Sequence, residues 1–308
     1  MAESLVVSAP ATSANMGPGF DVMAVALDLS NAVVITRRPG PLVVRVTGEG
    51  AGDLPEDGSN LVCTALAQGL GDLDGLDIEC RNRIPLGRGL GSSAATVCAG
   101  LVAANALGGL RWAPSDILAR AAALEGHADN AAACLEGGVV VVCEGPEALR
   151  LAVNENLAFV AVIPESTVST DAARRALPDA VPMADATFNI GAAAALVHTL
   201  TQGRLDEIGP RLADRLHEPY RESQVPGLAD LRAMADGDRV LGATISGSGP
   251  SSLVWCAADA LGEVEAEVAG MLGERGIPAR ARASRISPTG VRARWTTADS
   301  TRLERSIG

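Results

Sequence analysis

Apolar and polar positions divide the chain into two differently ordered halves. In the first, short β-branched runs come early and predict strands at Leu5–Ser8, Val22–Leu27, Ala32–Thr36 and Leu42–Val46. Between the first two lies Pro10-Ala-Thr-Ser-Ala-Asn-Met-Gly-Pro-Gly-Phe-Asp21. Its polar, glycine- and proline-punctuated composition predicts a loop. Ser59–Leu70 has helical spacing with Ser59 placed to cap it, and Leu76–Arg81 reads as a strand. Helices are then predicted at Ala94–Leu107, Pro114–Leu124 and Asp129–Leu135, the last stopped by Gly137-Gly138 before a buried strand, Val139–Cys143.

The second half opens on the apolar run Leu157–Ile163. Helical spacing follows over roughly 169–177, 183–200, 204–217 and 226–236. Strands Val240–Ser246 and Ser251–Cys256 are joined by Gly247-Ser248-Gly249-Pro250, and a helix (Ala260–Arg275) and a last strand (Ala279–Ile286) complete the series. A βαββαβ order predicts an α+β sandwich of ferredoxin-like type. The first half lacks the regular strand–helix alternation of a doubly wound fold. Two domains are expected, 1–150 and 155–297, with the boundary in the turn-rich stretch between Cys143 and Leu157 and a frayed polar tail at 298–308.

One segment stands out chemically. Pro85, Leu86, Gly87, Arg88, Gly89, Leu90, Gly91, Ser92, Ser93, Ala94 and Ala95 join the strand at 76–81 to the helix from Ala94. Glycines permit tight turns and close approach to a ligand, and the first amides of a helix favour an anion. Together they make a phosphate cradle, or equally a glycine turn with a serine cap. A Walker loop is excluded, because it ends in Gly-Lys-Ser/Thr and the chain has no lysine; all 25 basic residues are arginine. The G-x-G-x-x-G spacing of a dinucleotide site is also missing. Schiff-base chemistry on lysine is excluded with it.

Charge narrows the partners. A net charge of −12 leaves no basic footprint for nucleic acid. No apolar run approaches the roughly 20 residues of a membrane span, and the first residues lack the pattern of a signal peptide. The six cysteines lie mostly in apolar runs with no CxxC pair, so a reduced, cytoplasmic setting is expected. Oligomeric state stays open, a homodimer included.

Four polar segments interrupt the apolar elements: Asn15–Asp21, the loop at 85–95, Glu125-Gly-His-Ala-Asp-Asn130, and Ser246–Ser251. Each has a plain structural reading as well: an Asx turn, a capped turn, a helix cap and a hairpin turn. Thr170 and Arg174 fall on one helix face, and Arg221 follows His217-Glu-Pro-Tyr. For either arginine alone, solvated surface is the commoner reading.

Taken in order, the segments at 10–21, 85–95 and 242–251 resemble the three motifs of the GHMP kinases, a family of small-molecule kinases. His127-Ala-Asp-Asn130, Thr170…Arg174 and His217…Arg221 are similar to segments of the homoserine-phosphorylating members. The resemblance implies a ribosomal-S5-like N-terminal domain, a ferredoxin-like C-terminal domain and a cleft between them. It implies ATP and Mg²⁺, with L-homoserine as acceptor and O-phospho-L-homoserine as product, a step towards threonine. Residues 85–95 would hold the ATP phosphates. Asn15, Asp21, His127 and Asn130 would hold the amino and hydroxyl ends of the acceptor, joined by Thr170 and Gly249, and Arg174 and Arg221 would clamp its carboxylate. Asp21 would accept or orient the hydroxyl proton, and Arg88 would neutralise developing charge. Ser92 and Glu125 would face Mg²⁺, because the glutamate that many relatives carry two turns earlier is Ala119 here. A mevalonate-type kinase and a non-catalytic sensor on the same fold are the alternatives.

Overall fold

The computed structural model describes residues 3–297 apart from 144 and 146; the tail expected at 298–308 lies outside them. The first half builds a mixed sheet from β1 (Glu3–Asn15), β2 (Gly19–Arg37), β3 (Val43–Gly48), β4 (Leu76–Asn82), β5 (Val139–Val142) and β6 (Ala148–Leu151). Helices α1 (Leu61–Leu70), α2 (Ser92–Gly108), α3 (Pro114–Glu125) and α4 (Asp129–Glu136) belong to the same half. The second half carries β7 (Leu157–Pro164), α5 (Thr170–Arg175), α6 (Met183–Gln202), α7 (Glu218–Arg221), α8 (Leu228–Ala233), β8 (Val240–Ile245), β9 (Ser252–Ala257), α9 (Leu261–Arg275), β10 (Ala279–Arg285) and β11 (Arg292–Thr297).

The strand order β10-β7-β9-β8, antiparallel throughout, is the βαββαβ arrangement the second-half pattern predicts. The unbroken apolar run of β7 now has a cause. Leu157, Phe159, Ala161 and Ile163 face the large core, and Ala158, Val160 and Val162 face a second core under α8 and α9. A strand covered on both faces shows no polar alternation. β9 does the same, with Leu253 and Trp255 on one side and Val254 and Cys256 on the other.

Several expectations are corrected. Residues 10–15 are strand rather than loop, because β1 pairs with β2 as far as Asn15 across two register shifts. Asn60 caps α1 instead of Ser59, its Oδ1 accepting from Val62 N at 3.1 Å. The helix expected at 204–217 is two short 3₁₀ turns, broken where Gly209-Pro210 removes an amide donor. β6 and β11 have no counterpart in the sequence reading. β11 is an exposed edge strand that pairs with β1, so a segment expected in the second domain completes the first sheet.

Candidate functional site

The four polar segments converge on one cleft, lined from Ala14 to Ser248 by both halves of the chain. On its floor, Gly87, Gly89 and Gly91 adopt φ of 62°, 71° and 69°. A Cβ on Gly91 would collide with the Thr12 hydroxyl, and one on Gly89 with the Ser246 carbonyl. Only glycine fits these two positions. Gly91 is also the N-cap of α2, and a glycine has no side chain with which to cap. While α1 receives a cap from Asn60, the first amides of the 17-residue α2 have none and no acidic residue in the first turn. An uncapped helix end in a cleft is an anion site.

Polar ties fix the loop to both halves. Thr12 N donates to Leu90 O at 3.1 Å and Val168 N to Gly87 O at 3.2 Å. Ser246 Oγ lies 2.7 Å from Gly89 O and 2.8 Å from Ser13 Oγ. Arg88, expected to be catalytic, lines the cleft and belongs to this set as well. Its Nε, Nη1 and Nη2 donate to the carbonyls of Pro164, Leu86 and Glu165 at 2.7, 3.0 and 2.8 Å. These three bonds pin the loop to the end of β7.

Asn15 closes the opposite wall. Its Nδ2 donates to Gly247 O at 2.7 Å and its Oδ1 accepts from Asp21 N at 3.0 Å, so both ends of the amide hold the cleft together. Asn15, Met16 and Asp21 all have positive φ, 73°, 50° and 57°. Such backbone in non-glycine residues is held by its surroundings and concentrates at functional sites. The Asp21 carboxylate meets Arg174 in a two-bond pair, Nη1–Oδ2 3.0 Å and Nη2–Oδ1 3.1 Å, with both side chains more than a third exposed.

Arg221 differs from Arg174 in every respect. It is 2% exposed, yet among the described residues no carboxylate lies within ion-pair distance of it. Its Nε donates to Ala173 O at 3.2 Å, and Nη1 lies 3.4 Å from both Gly247 O and His217 Nδ1. Burial pulls the guanidinium below its usual value, and the nearby Asp21 opposes that. His217 is fully buried, with Nε2 2.9 Å from Gly17 O and its ring stacked on Phe20 at 5.2 Å. Burial pushes its pKa down, so the neutral ring donates through Nε2 and offers Nδ1 to Arg221. Asp214 Oδ2 accepts from Leu216, His217 and Glu218 amides at 3.1, 2.8 and 2.8 Å, and Asn189 bridges Asp214 to Pro18 O. Sequence reasoning missed Asp214, Asn189 and Phe20; a capping aspartate three residues before His217 was a readable sign of the first.

The third wall is the α3–α4 junction. His127 Nδ1 lies 2.8 Å from Asp129 Oδ1, and that hydrogen bond is the main cause of a raised imidazole pKa. The Asn130 amide N–H donates to the same oxygen at 2.7 Å, and Asn130 Oδ1 accepts from Thr12 Oγ1 at 2.7 Å. Ser93 Oγ donates to Glu125 Oε1 at 2.6 Å, and burial raises the Glu125 pKa. This hydroxyl–carboxylate pair beside the open end of α2 suits Mg²⁺, which binds one or two carboxylates and keeps waters and phosphate oxygens. Ser93 supplies the hydroxyl of this pair; Ser92, expected here, lines the cleft as well but is more buried, and its carbonyl accepts from Thr96. Ala119 is exposed and does not line the cleft. Gly249, at φ 79°, shapes the 246–251 turn and is not among the lining residues. Thr170 opens α5, but its side chain lies outside the described residues.

A second pocket shares Gly87, Ser92 and Ser93 with the cleft and extends between Asn31, Pro55, Asn60 and Thr96. Asn31 Oδ1 accepts from Arg83 and Ile84 amides at 2.8 and 2.9 Å, while its buried Nδ2 has no partner. These residues sit on three separate elements, and no spacing in the chain connects them.

Residues 60–138 match the GHMP kinases N terminal domain and residues 192–271 the GHMP kinases C terminal domain. A homoserine kinase of Streptomyces coelicolor is 40% identical over 275 residues, covering 86% of this chain and 88% of that protein. A homoserine kinase of Moorella thermoacetica is 38% identical over 258 residues, 82% of this chain and 87% of its own. The crystal structure of homoserine kinase from Cytophaga hutchinsonii superposes with a TM-score of 0.83 at 32% identity, over 94% of this chain and 97% of that one. With both halves matched and most of each relative's length covered, the chain belongs to the GHMP kinase family, in the group of the homoserine kinases.

Proposed function

We propose that the protein transfers the γ-phosphoryl group of ATP to the side-chain hydroxyl of L-homoserine, working in the cytoplasm. One observation carries this: a cleft that sets an uncapped helix end, suited to phosphate, opposite a buried guanidinium without a carboxylate, suited to an amino-acid carboxylate. The alternatives fit less well. Mevalonate would compensate Arg221 but has no amino group for His127, Asp129 and Asn130 to hold, and a non-catalytic sensor has no need of both anion sites.

In this reading the phosphates lie on the amides of Gly89 to Ser93, and the nucleoside occupies the adjoining cavity, where Asn31 Nδ2 has a hydrogen bond to give. Arg221 takes the acceptor's carboxylate. His127, Asp129 and Asn130 hold the acceptor chain towards the phosphate, with Asn130 fixed by Thr12. Asp21 accepts the hydroxyl's hydrogen bond through lone pairs that Arg174 leaves open. The acceptor oxygen bonds to the γ-phosphorus as the bond to the β,γ-bridging oxygen breaks, ADP departs, and the hydroxyl proton is left on Asp21. Such transfer rests on positioning and charge stabilisation more than on a strong base. Ser93 and Glu125 would hold Mg²⁺, which when bound offsets the charge of the phosphoryl oxygens.

An ADP-release assay over a panel of acceptors tests the reading, with the product identified by mass. L-Homoserine should give O-phosphohomoserine and mevalonate none. Turnover on mevalonate with none on L-homoserine would refute it.

A further inference from the structure

Glu218 is 2% exposed and the transfer chemistry makes no use of it. It opens α7, the single turn that ends at Arg221. Its Oε1 accepts from Ile245 N at 2.7 Å and its Oε2 pairs with Arg232 of α8 at 2.5 Å. Arg232 also donates to Ala243 O at 3.4 Å and to Glu222 at 3.3 Å. Ala243 and Ile245 belong to β8, the outer strand of the four-stranded sheet, so the pair answers an N–H and a C=O on an edge with no neighbouring strand. Two residues beyond Ile245, Gly247 O receives both Asn15 and Arg221. Glu218 therefore ties the turn that bears Arg221 to the strand that bears its contact.

Glu218 and Arg232 line an open pocket with Asp214, Glu222 and Leu241. We infer that Glu218 is a positioning residue: with Arg232 as counter-ion it fixes Arg221 against the 246–251 turn and so sets the geometry of the carboxylate subsite. The inference rests on the reading above, in which Arg221 receives the acceptor's carboxylate.

Glu218→Gln keeps a carbonyl oxygen for Ile245 N, and Glu218→Ala removes it. The KM for L-homoserine should rise about tenfold or more in E218A, with kcat and the KM for ATP little changed, and rise by less in E218Q, which keeps the Ile245 bond but loses the ion pair with Arg232. Added to Arg221→Met, E218A should change the homoserine KM by less than about twofold, because the two act as one unit. An unchanged homoserine KM in folded E218A, an equal rise in the KM for ATP, or full additivity with R221M would overturn the proposal. Should E218A fail to fold, Arg232→Met serves: it spares the carboxylate, and an unaltered homoserine KM there overturns the proposal equally. Failure of the parent reading is seen separately, in a wild-type protein that neither binds nor phosphorylates L-homoserine.

Discussion

The two arginines expected to share the acceptor's carboxylate are not equivalent, and that difference can be measured. Among the described residues Arg221 is buried without a carboxylate partner and is held by two carbonyls and a neutral imidazole. Removing one member of a desolvated charge pair costs about 2–5 kcal/mol. At about 1.4 kcal/mol per tenfold, Arg221→Met should weaken L-homoserine binding by roughly thirty- to several-thousandfold. Arg174 is 39% exposed at its side chain and already paired with Asp21. Exposed pairs are worth about 0.2–1 kcal/mol, so Arg174→Met should cost no more than about tenfold. Calorimetric titration with L-homoserine gives both values directly. 3-Amino-1-propanol, which lacks the carboxylate, is the control, and R221M should leave its weak binding nearly unaltered. Thermal midpoints guard against a folding defect, since R221M also loses contacts to Ala173 O and Gly247 O. Equal losses in the two variants, or a loss for the amino alcohol as large as for homoserine, would refute the reasoning.

Three further outcomes are expected. Gly91→Ala and Gly89→Ala should each destabilise by about 1–3 kcal/mol and abolish ATP binding, whereas Gly87→Ala, whose added Cβ meets nothing nearer than 3.5 Å, should keep measurable binding; nucleotide titration and melting curves distinguish them. Ser93→Ala and Glu125→Gln should raise the Mg²⁺ concentration for half-maximal turnover about tenfold, and Ser92→Ala should raise it less; a larger effect of S92A would return the metal to Ser92. Burial raises the Glu218 pKa from its usual 4.5 to about 7, against Arg232 and the Ile245 amide, which favour the charged form. Between those values the unfolded chain has released a proton that the folded chain keeps, so stability should fall as pH rises from 4.5 to 7, by about 1–3 kcal/mol, and E218Q should lack this slope. Coincident pH–stability curves for the two proteins would disprove the shift.

What the sequence disclosed follows from how local each signal is. Glycine spacing, apolar runs and the order of strands and helices are written in neighbouring residues, so the loop at 85–95 and the βαββαβ half were legible. Edge strand β11 was not, because Arg292-Ala-Arg-Trp-Thr has both faces exposed and no apolar alternation to read. The helix expected at 204–217 failed because spacing was weighed above Gly209-Pro210. Within the site, Asn15 and Asp21 were found by motif. Their bonds to Gly247 and Arg174 join residues more than 150 positions apart, and no pattern along the chain encodes them.

The three arginines sharpen the point. In a chain without lysine, residue type gives no hint which cation meets phosphate, which meets carboxylate and which is structural. Partner and burial decide. Arg88 finds three carbonyls and becomes a strut, and Arg174 finds Asp21 and remains half in solvent. Arg221 is buried with no carboxylate in ion-pair distance among the described residues, an arrangement that costs free energy and that an acceptor's carboxylate would offset. The same reasoning applies to α2. A helix whose first amides lack a cap, beside one that Asn60 caps, is left less stable alone than it would be with a serine or aspartate at position 91. Gly91 forgoes that cap, because a side chain there would collide with Thr12 and block the amides. In the proposed function each end of the cleft meets an anion, phosphate at one and carboxylate at the other. Selectivity for an anionic acceptor follows from the second of these.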